Sequence, residues 1–127
     1  MPKSKLVHEI LSQIDTALET IKLRFEPVDS VDYFLDTPRG EEKLDSICML
    51  FIAIGESLKN IDKLTDKQLL NQYDTIDWKA IKGMRDVLSH HYFDINAEAV
   101  YDVCTEDLDA LHITIKEMLN ASEKPKD

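Results

Sequence analysis

The stretch EEKLDSICMLFIAIGESLKNI, residues 41–61, decides the fold. Leu44, Ile47, Phe51, Ile54, Leu58 and Ile61 recur at steps of three and four, which lays them on one face of an α-helix. Met49 and Ile52 widen the apolar surface, so the spacing predicts a central helix. Its acidic start, Glu41 and Glu42, suits the positive end of a helix dipole. Gly55 lies inside the pattern, where glycine costs about 1 kcal/mol of helix propensity against alanine. A glycine kept there predicts close approach of a neighbouring helix or subunit.

On the N-terminal side, Pro38 and Gly40, with Thr37 and Arg39, read as a break in the chain. Before them, Ser30 to Leu35 suits one or two helical turns. A first helix is expected from Ser4, a plausible N-cap, to Phe25, with Pro27 ending it. Leu6, Ile10, Ile14 (or Leu11, Leu18), Ile21 and Phe25 are its apolar face. On the C-terminal side, a polar connection runs from about Asp62 to Thr75, with a helical turn at Asp66 to Gln72. Asp77 reads as the N-cap of a third main helix, Trp78 to about Ser89. Asn96 caps a fourth, Ala97 to about Leu119, with Val100, Cys104, Leu108, Leu111, Ile115 and Met118 as its core stripe. The expected fold is all-α: an up-and-down four-helix bundle with one or two short extra helices. Residues 1–120 form one domain and 121–127 a frayed tail.

Composition agrees. The chain has 127 residues, the length of one domain, and its three glycines and four prolines are too few for a turn-rich β fold. Formal net charge is −10, which repels polyanions on average, so any nucleic-acid site must be a local basic patch. Cys48 and Cys104 fall in apolar helical stretches without a Cys or His at ligand spacing, and read as reduced core thiols. The N-terminus lacks the apolar run of a secretion signal, and the longest such run, Ile47 to Ile54, is far short of a membrane span. The expected location is the cytoplasm, with no membrane contact.

The chemistry-bearing stretch is WKAIKGMRDVLSHHYFDI, residues 78–95. Arg85 is a planar, permanently charged donor suited to phosphate. His90 and His91 exchange protons near neutrality. Asp86 sits four residues before His90, so its carboxylate is expected beside the imidazole, orienting the ring and raising its pKa. Arg85 and His90 are five residues apart, about 140° of rotation on a straight helix. They do not share a face by periodicity alone; they converge only if the helix ends near His90 or a second copy brings its own pair. The plain alternative is a set of surface ion pairs followed by a histidine-rich helix C-terminus. Metal chemistry has weaker support. Bundles hold di-iron sites through paired Glu-x-x-His motifs; here only Asp109 and His112 approach that spacing, without a second copy. No metal or cofactor is expected, and His8 and His112 read as surface or interface residues.

The whole string resembles the signature of the HEPN superfamily: an Arg, four to six residues, then a His, at the end of a helix in a small bundle. It is most similar to the HepT-like branch, whose pattern is Arg, a polar residue, three more, His, one residue, Tyr. Here that is Arg85, Asp86, Val87, Leu88, Ser89, His90, His91, Tyr92. Asp77, Trp78, Gly83, Met84 and Phe93 match the flanks, and Ile54, Gly55 and Glu56 match an element of the central helix. Many relatives carry Asn directly after the Arg. Asn can donate a hydrogen bond to phosphate, which ionised Asp86 cannot.

The resemblance implies a metal-independent endoribonuclease toxin of a HepT–MntA-type toxin–antitoxin pair. Its substrate would be RNA and not DNA, because the 2′-hydroxyl is the attacking group. It implies His90 as general acid or base, Arg85 as the stabiliser of phosphate charge, and Asp86 in support. It also implies a homodimer with both motifs in one cleft, and a nucleotidyltransferase antitoxin (MntA-like) that adenylylates Tyr92. A second expectation is a non-catalytic HEPN module that docks to, or presents substrate for, a nucleotidyltransferase. A third is a plain bundle with no site.

Overall fold

The computed structural model describes residues 2–90 and 93–122. Seven helices are found among them: α1 (Lys3–Phe25), α2 (Val31–Asp36), α3 (Pro38–Thr65), α4 (Gln68–Asn71), α5 (Trp78–His90), α6 (Ala97–Glu106) and α7 (Leu108–Ser122). No strand occurs among the described residues, which makes the chain the expected all-α bundle. None of these helices is long and apolar enough to cross a membrane.

Helix α3 is the axis. All six of its stripe residues, Leu44 to Ile61, are buried. It packs against α1, α2, α4, α5 and α6, while α7 lies against α1. Its N-terminus is earlier than the sequence suggested. Thr37 to Gly40 do not break the chain; they start the helix. The Thr37 hydroxyl accepts the Gly40 N–H at 3.0 Å, and Pro38 occupies the first turn, where its missing N–H costs nothing. Gly40 is required here, because a Cβ would collide with the Tyr33 carbonyl of α2. At the other end Asp66 and Lys67 take positive φ (55° and 62°), and the Lys67 N–H closes on the Asp62 carbonyl at 2.8 Å.

Three other expectations shift. Helix α1 starts at Lys3 behind Pro2, with no side-chain cap, so Ser4 lies inside it. Its buried line is Val7, Leu11, Ile14, Leu18 and Ile21; Leu6 and Ile10 are turned to the edge of the core. The fourth helix is two. Asn96 caps α6 as expected, its Oδ1 accepting the Ala99 N–H at 3.1 Å, but the helix breaks at Asp107. The pieces serve different partners: α6 reaches α2 and α3, whereas α7 lies along α1. The predicted stripe from Val100 to Met118 is still buried throughout, because both pieces turn it inward. Met49, placed on the apolar surface of α3, points outward and is 70% exposed.

His112 is not a surface residue. It is buried between α7 and α1, and its Nε2 lies 2.8 Å from Asp15 Oδ1. Lys116, one turn on, bridges Asp15 (3.2 Å) and Glu19 (3.4 Å). The cysteines are free core thiols, both pushed up to about 12, Cys48 by burial and then Asp45, Cys104 by burial and then Cys48. They stay protonated and unreactive at neutral pH.

Candidate active site

Helix α5 carries Arg85, Asp86 and His90 along α3. Its start is pinned twice. Asp77 Oδ1 accepts the Ala80 N–H at 3.0 Å, the cap expected from the sequence, and Trp78 Nε1 donates to the Tyr73 carbonyl at 2.9 Å. Only Trp78 and Leu88 are buried among its residues. The pairs that join it to α3 are Lys82 with Asp62, Asp86 with Lys59, and Arg85 with Glu56. Lys82 meets the later residue Asp62, whereas Arg85 and Asp86 meet the earlier Glu56 and Lys59, so the two helices run antiparallel.

Gly55 sets their separation. A Cβ there would overlap Arg85 Cβ and lie 3.0 Å from Arg85 Cγ. The glycine therefore does what its place in the sequence suggested, and the element that approaches is the arginine itself. Arg85 lies half-buried in the seam. Its two terminal nitrogens donate to Asp86 Oδ1 and Glu56 Oε1, each at 3.0 Å, and its Nε is buried with no hydrogen-bond partner among the described residues. These bonds, to Asp86 foremost, raise the guanidinium pKa further and keep it charged.

Asp86 departs from its expected role. Among the described residues no hydrogen bond or ion pair joins its carboxylate to His90. The carboxylate accepts from Lys59 Nζ at 2.8 Å and from Arg85, and these contacts hold it below the usual carboxylate range. It is ionised at neutral pH and can only accept hydrogen bonds. His90 is exposed and bonds through Nδ1 to the Asp86 main-chain oxygen at 2.8 Å, one turn back on the helix. The imidazole is thus oriented by backbone and not by carboxylate. Among the described residues no hydrogen bond joins Arg85 to His90. His91 and Tyr92 lie outside the described residues.

Two participants, Glu56 as a partner of Arg85 and Lys59 as a partner of Asp86, are not singled out by the sequence. Glu56 was noted only as part of a motif, and Lys59 not at all. Their signal is a polar stripe on α3, Glu56, Lys59 and Lys63, at helical spacing beside Gly55. The site holds two cations, Arg85 and Lys59, and two carboxylates, Glu56 and Asp86, so it is neutral before His90 is counted. A possible metal-ligand set stands elsewhere, on the α1–α7 seam. Asp15, Glu19 and His112 bring ligand atoms within 4.8 Å of one another, with Lys116 spanning both carboxylates. Asp109, which shares the Asp-x-x-His spacing with His112, is not in this set and pairs with Lys22 at 3.0 Å.

Residues 14–118 match the family model described as Ribonuclease HepT-like. A protein named as a putative RNase from Caldanaerobacter subterraneus subsp. tengcongensis is 33% identical over 66 residues, 52% of this chain and 55% of that protein. Another named as a putative RNase, from Methanocaldococcus jannaschii, is 40% identical over 51 residues, 40% of this chain and 39% of that protein. A second M. jannaschii protein, named as a gamma-glutamylcyclotransferase and putative RNase, is 27% identical over 82 residues, 65% of this chain and 35% of its own length. The chain spans about half or less of the length of these curated relatives. No solved structure matches.

Proposed function

The chain belongs to the ribonuclease HepT-like family, and from that premise we propose that it is a metal-independent endoribonuclease, the toxin of a HepT–MntA-type pair. The observation that carries the reading is Arg85. It is a guanidinium set by Gly55 into a seam, with a histidine five residues on at the exposed end of the same helix. In the proposed reaction the 2′-oxygen of RNA attacks the adjacent phosphorus and the P–O5′ bond breaks. One His90 takes the 2′-hydroxyl proton, and the other, from a second copy, gives a proton to the departing 5′-oxygen. Arg85 meets the charge that builds on the phosphoryl oxygens. Two chains supply both pairs, because within one chain Arg85 and His90 have separate partners. Val87 and Phe93, large apolar side chains exposed on and just beyond α5, suit such a contact. In water with a chelator present, the protein is expected to cut RNA into fragments bearing 2′,3′-cyclic phosphate and 5′-hydroxyl ends. End-group analysis by mass spectrometry checks it, and activity that vanishes with the chelator sinks it.

Tyr92 is the proposed acceptor of AMP from a partner nucleotidyltransferase: its hydroxyl attacks the α-phosphate of ATP and pyrophosphate leaves. The added phosphate would put negative charge where RNA phosphate must bind. Intact mass after incubation with that enzyme and ATP, with Tyr92→Phe as control, tests the assignment.

The neutral charge of the site favours a second reading, a non-catalytic module docked to a nucleotidyltransferase. An incoming phosphate must compete with Glu56 and Asp86 for Arg85. This gives a prediction of sign. Asp86→Asn removes one of two carboxylates, frees Lys59 and part of Arg85, and leaves the site at +1. At contact distance in water one such charge is worth about a three- to tenfold drop in KM for RNA. A KM unchanged or raised would show that Asp86 does not hold the phosphate off. No cutting by wild type or variant would favour the docking module.

A further inference from the structure

Beside the Arg85 seam, between the C-terminal half of α3 and α5, lies a groove of about 650 Å³. Five of the chain's fifteen lysines and arginines line it: Lys59, Lys63, Lys67, Lys79 and Lys82. Against them stand three aspartates, Asp62, Asp66 and Asp86, so the groove carries +2 in a chain whose net charge is −10. Two of the lysines are neutralised, Lys59 by Asp86 and Lys82 by Asp62. Lys63, Lys67 and Lys79 are exposed and have no ion-pair partner among the described residues. This is the local basic patch that an acidic chain must have if it is to meet a polyanion.

We propose that this groove holds the sugar–phosphate backbone of RNA on one side of the phosphate presented to Arg85, as a sequence-independent track. The inference rests on the ribonuclease reading of Arg85 and His90. Three features argue for it. The groove is continuous with the site, since Asp86 lines the one and bonds Arg85 in the other. From Lys59 to Lys67 it follows about 12 Å of chain at helical rise, room for about two to four phosphates. Finally, among the described residues nothing but lysine, aspartate and Gly83 lines it. A protein partner would want an aromatic or apolar anchor there. Base reading would want stacking or amide groups. A row of ammonium groups without either suits phosphate alone. Gly83 fits the same use: a Cβ there would meet nothing within 4 Å, so the floor of the track is open.

The test is the triple variant Lys63→Gln, Lys67→Gln, Lys79→Gln. Binding of a fluorescent oligouridylate is followed by anisotropy across a salt series, in a His90→Ala background so that RNA is not cut. Three lost contacts to a single strand should flatten the slope of log K against log salt by about 2. With His90 intact, the triple variant should cut a dinucleotide like the parent protein, because that substrate is too short to reach the groove. Its KM for the oligouridylate should rise with kcat unchanged. An unaltered slope and KM overturn the track. So does a variant that keeps RNA affinity but loses poly-glutamate, which would give the groove to an acidic protein. If the parent protein cuts neither substrate, the nuclease reading fails, and the salt slope still decides the groove.

Discussion

His90→Ala is expected to lower RNA cleavage by a factor of about 10²–10⁴, the usual contribution of a positioned acid or base, without loss of helicity. The ring is exposed and its one hydrogen bond among the described residues is to a main-chain oxygen of its own helix, which water can replace. Arg85→Ala should cost about 10²–10³, the scale of one lost donor to a developing oxyanion. It also leaves Glu56 and Asp86 facing each other without the cation between them, so Arg85→Lys belongs beside it. Lysine keeps the charge and loses the planar fork. The sharper measurement mixes the two variants. If two chains share one cleft, a heterodimer of His90→Ala with Arg85→Ala still holds one intact histidine and one intact arginine, and partial activity returns. If each chain works alone, the mixture stays dead. Either purified variant cutting RNA like the parent protein would end the catalytic assignment.

Gly55→Ala should do more damage than its one carbon suggests. On an isolated helix the change is favourable by about 1 kcal/mol. Here the new methyl overlaps the root of Arg85, an atom fixed by the α5 backbone and not the far end of a flexible chain. Helix α5 must move off α3, and forcing an extra carbon into such a seam costs about 1–3 kcal/mol. The outcome is a lower thermal midpoint together with a loss of cleavage, at least about tenfold, at temperatures where the protein is still folded, since misplacing a catalytic group by about 1 Å can cost 10². Arg85→Gly in the same chain removes the colliding atom. The double variant should regain part of the midpoint, since glycine inside α5 itself costs about 1 kcal/mol, and stay inactive. A single variant as stable and active as the parent protein would mean that the glycine does not set the seam.

Much of this was readable in order along the chain. The six-residue stripe of α3 and the stripe across α6 and α7 are buried as predicted, because a three-to-four step has one solution, a helix with that face inward. Asp77 and Asn96 cap where expected, because their side chains reach N–H groups three residues on and nothing distant intervenes. The misread elements are those whose local signal has two meanings. Thr37–Pro38 breaks a chain or starts a helix, and packing of α2 against Gly40 selects the start. Asp107 has no breaking residue beside it; the break follows from the separate partners of α6 and α7.

The family and the all-α class are properties of residue order, since they need only periodicity and a motif a few residues long. The electrostatics of the seam are not. Asp86 has two neighbours within reach of its carboxylate from outside its own turn or beside it, Lys59 and Arg85, and they outcompete His90. A helical wheel of α5 cannot show this, because Lys59 is twenty-seven residues away in the chain and 2.8 Å away in space. Charge pairing acts through distance, and distance across two helices is settled only when Gly55 lets them close.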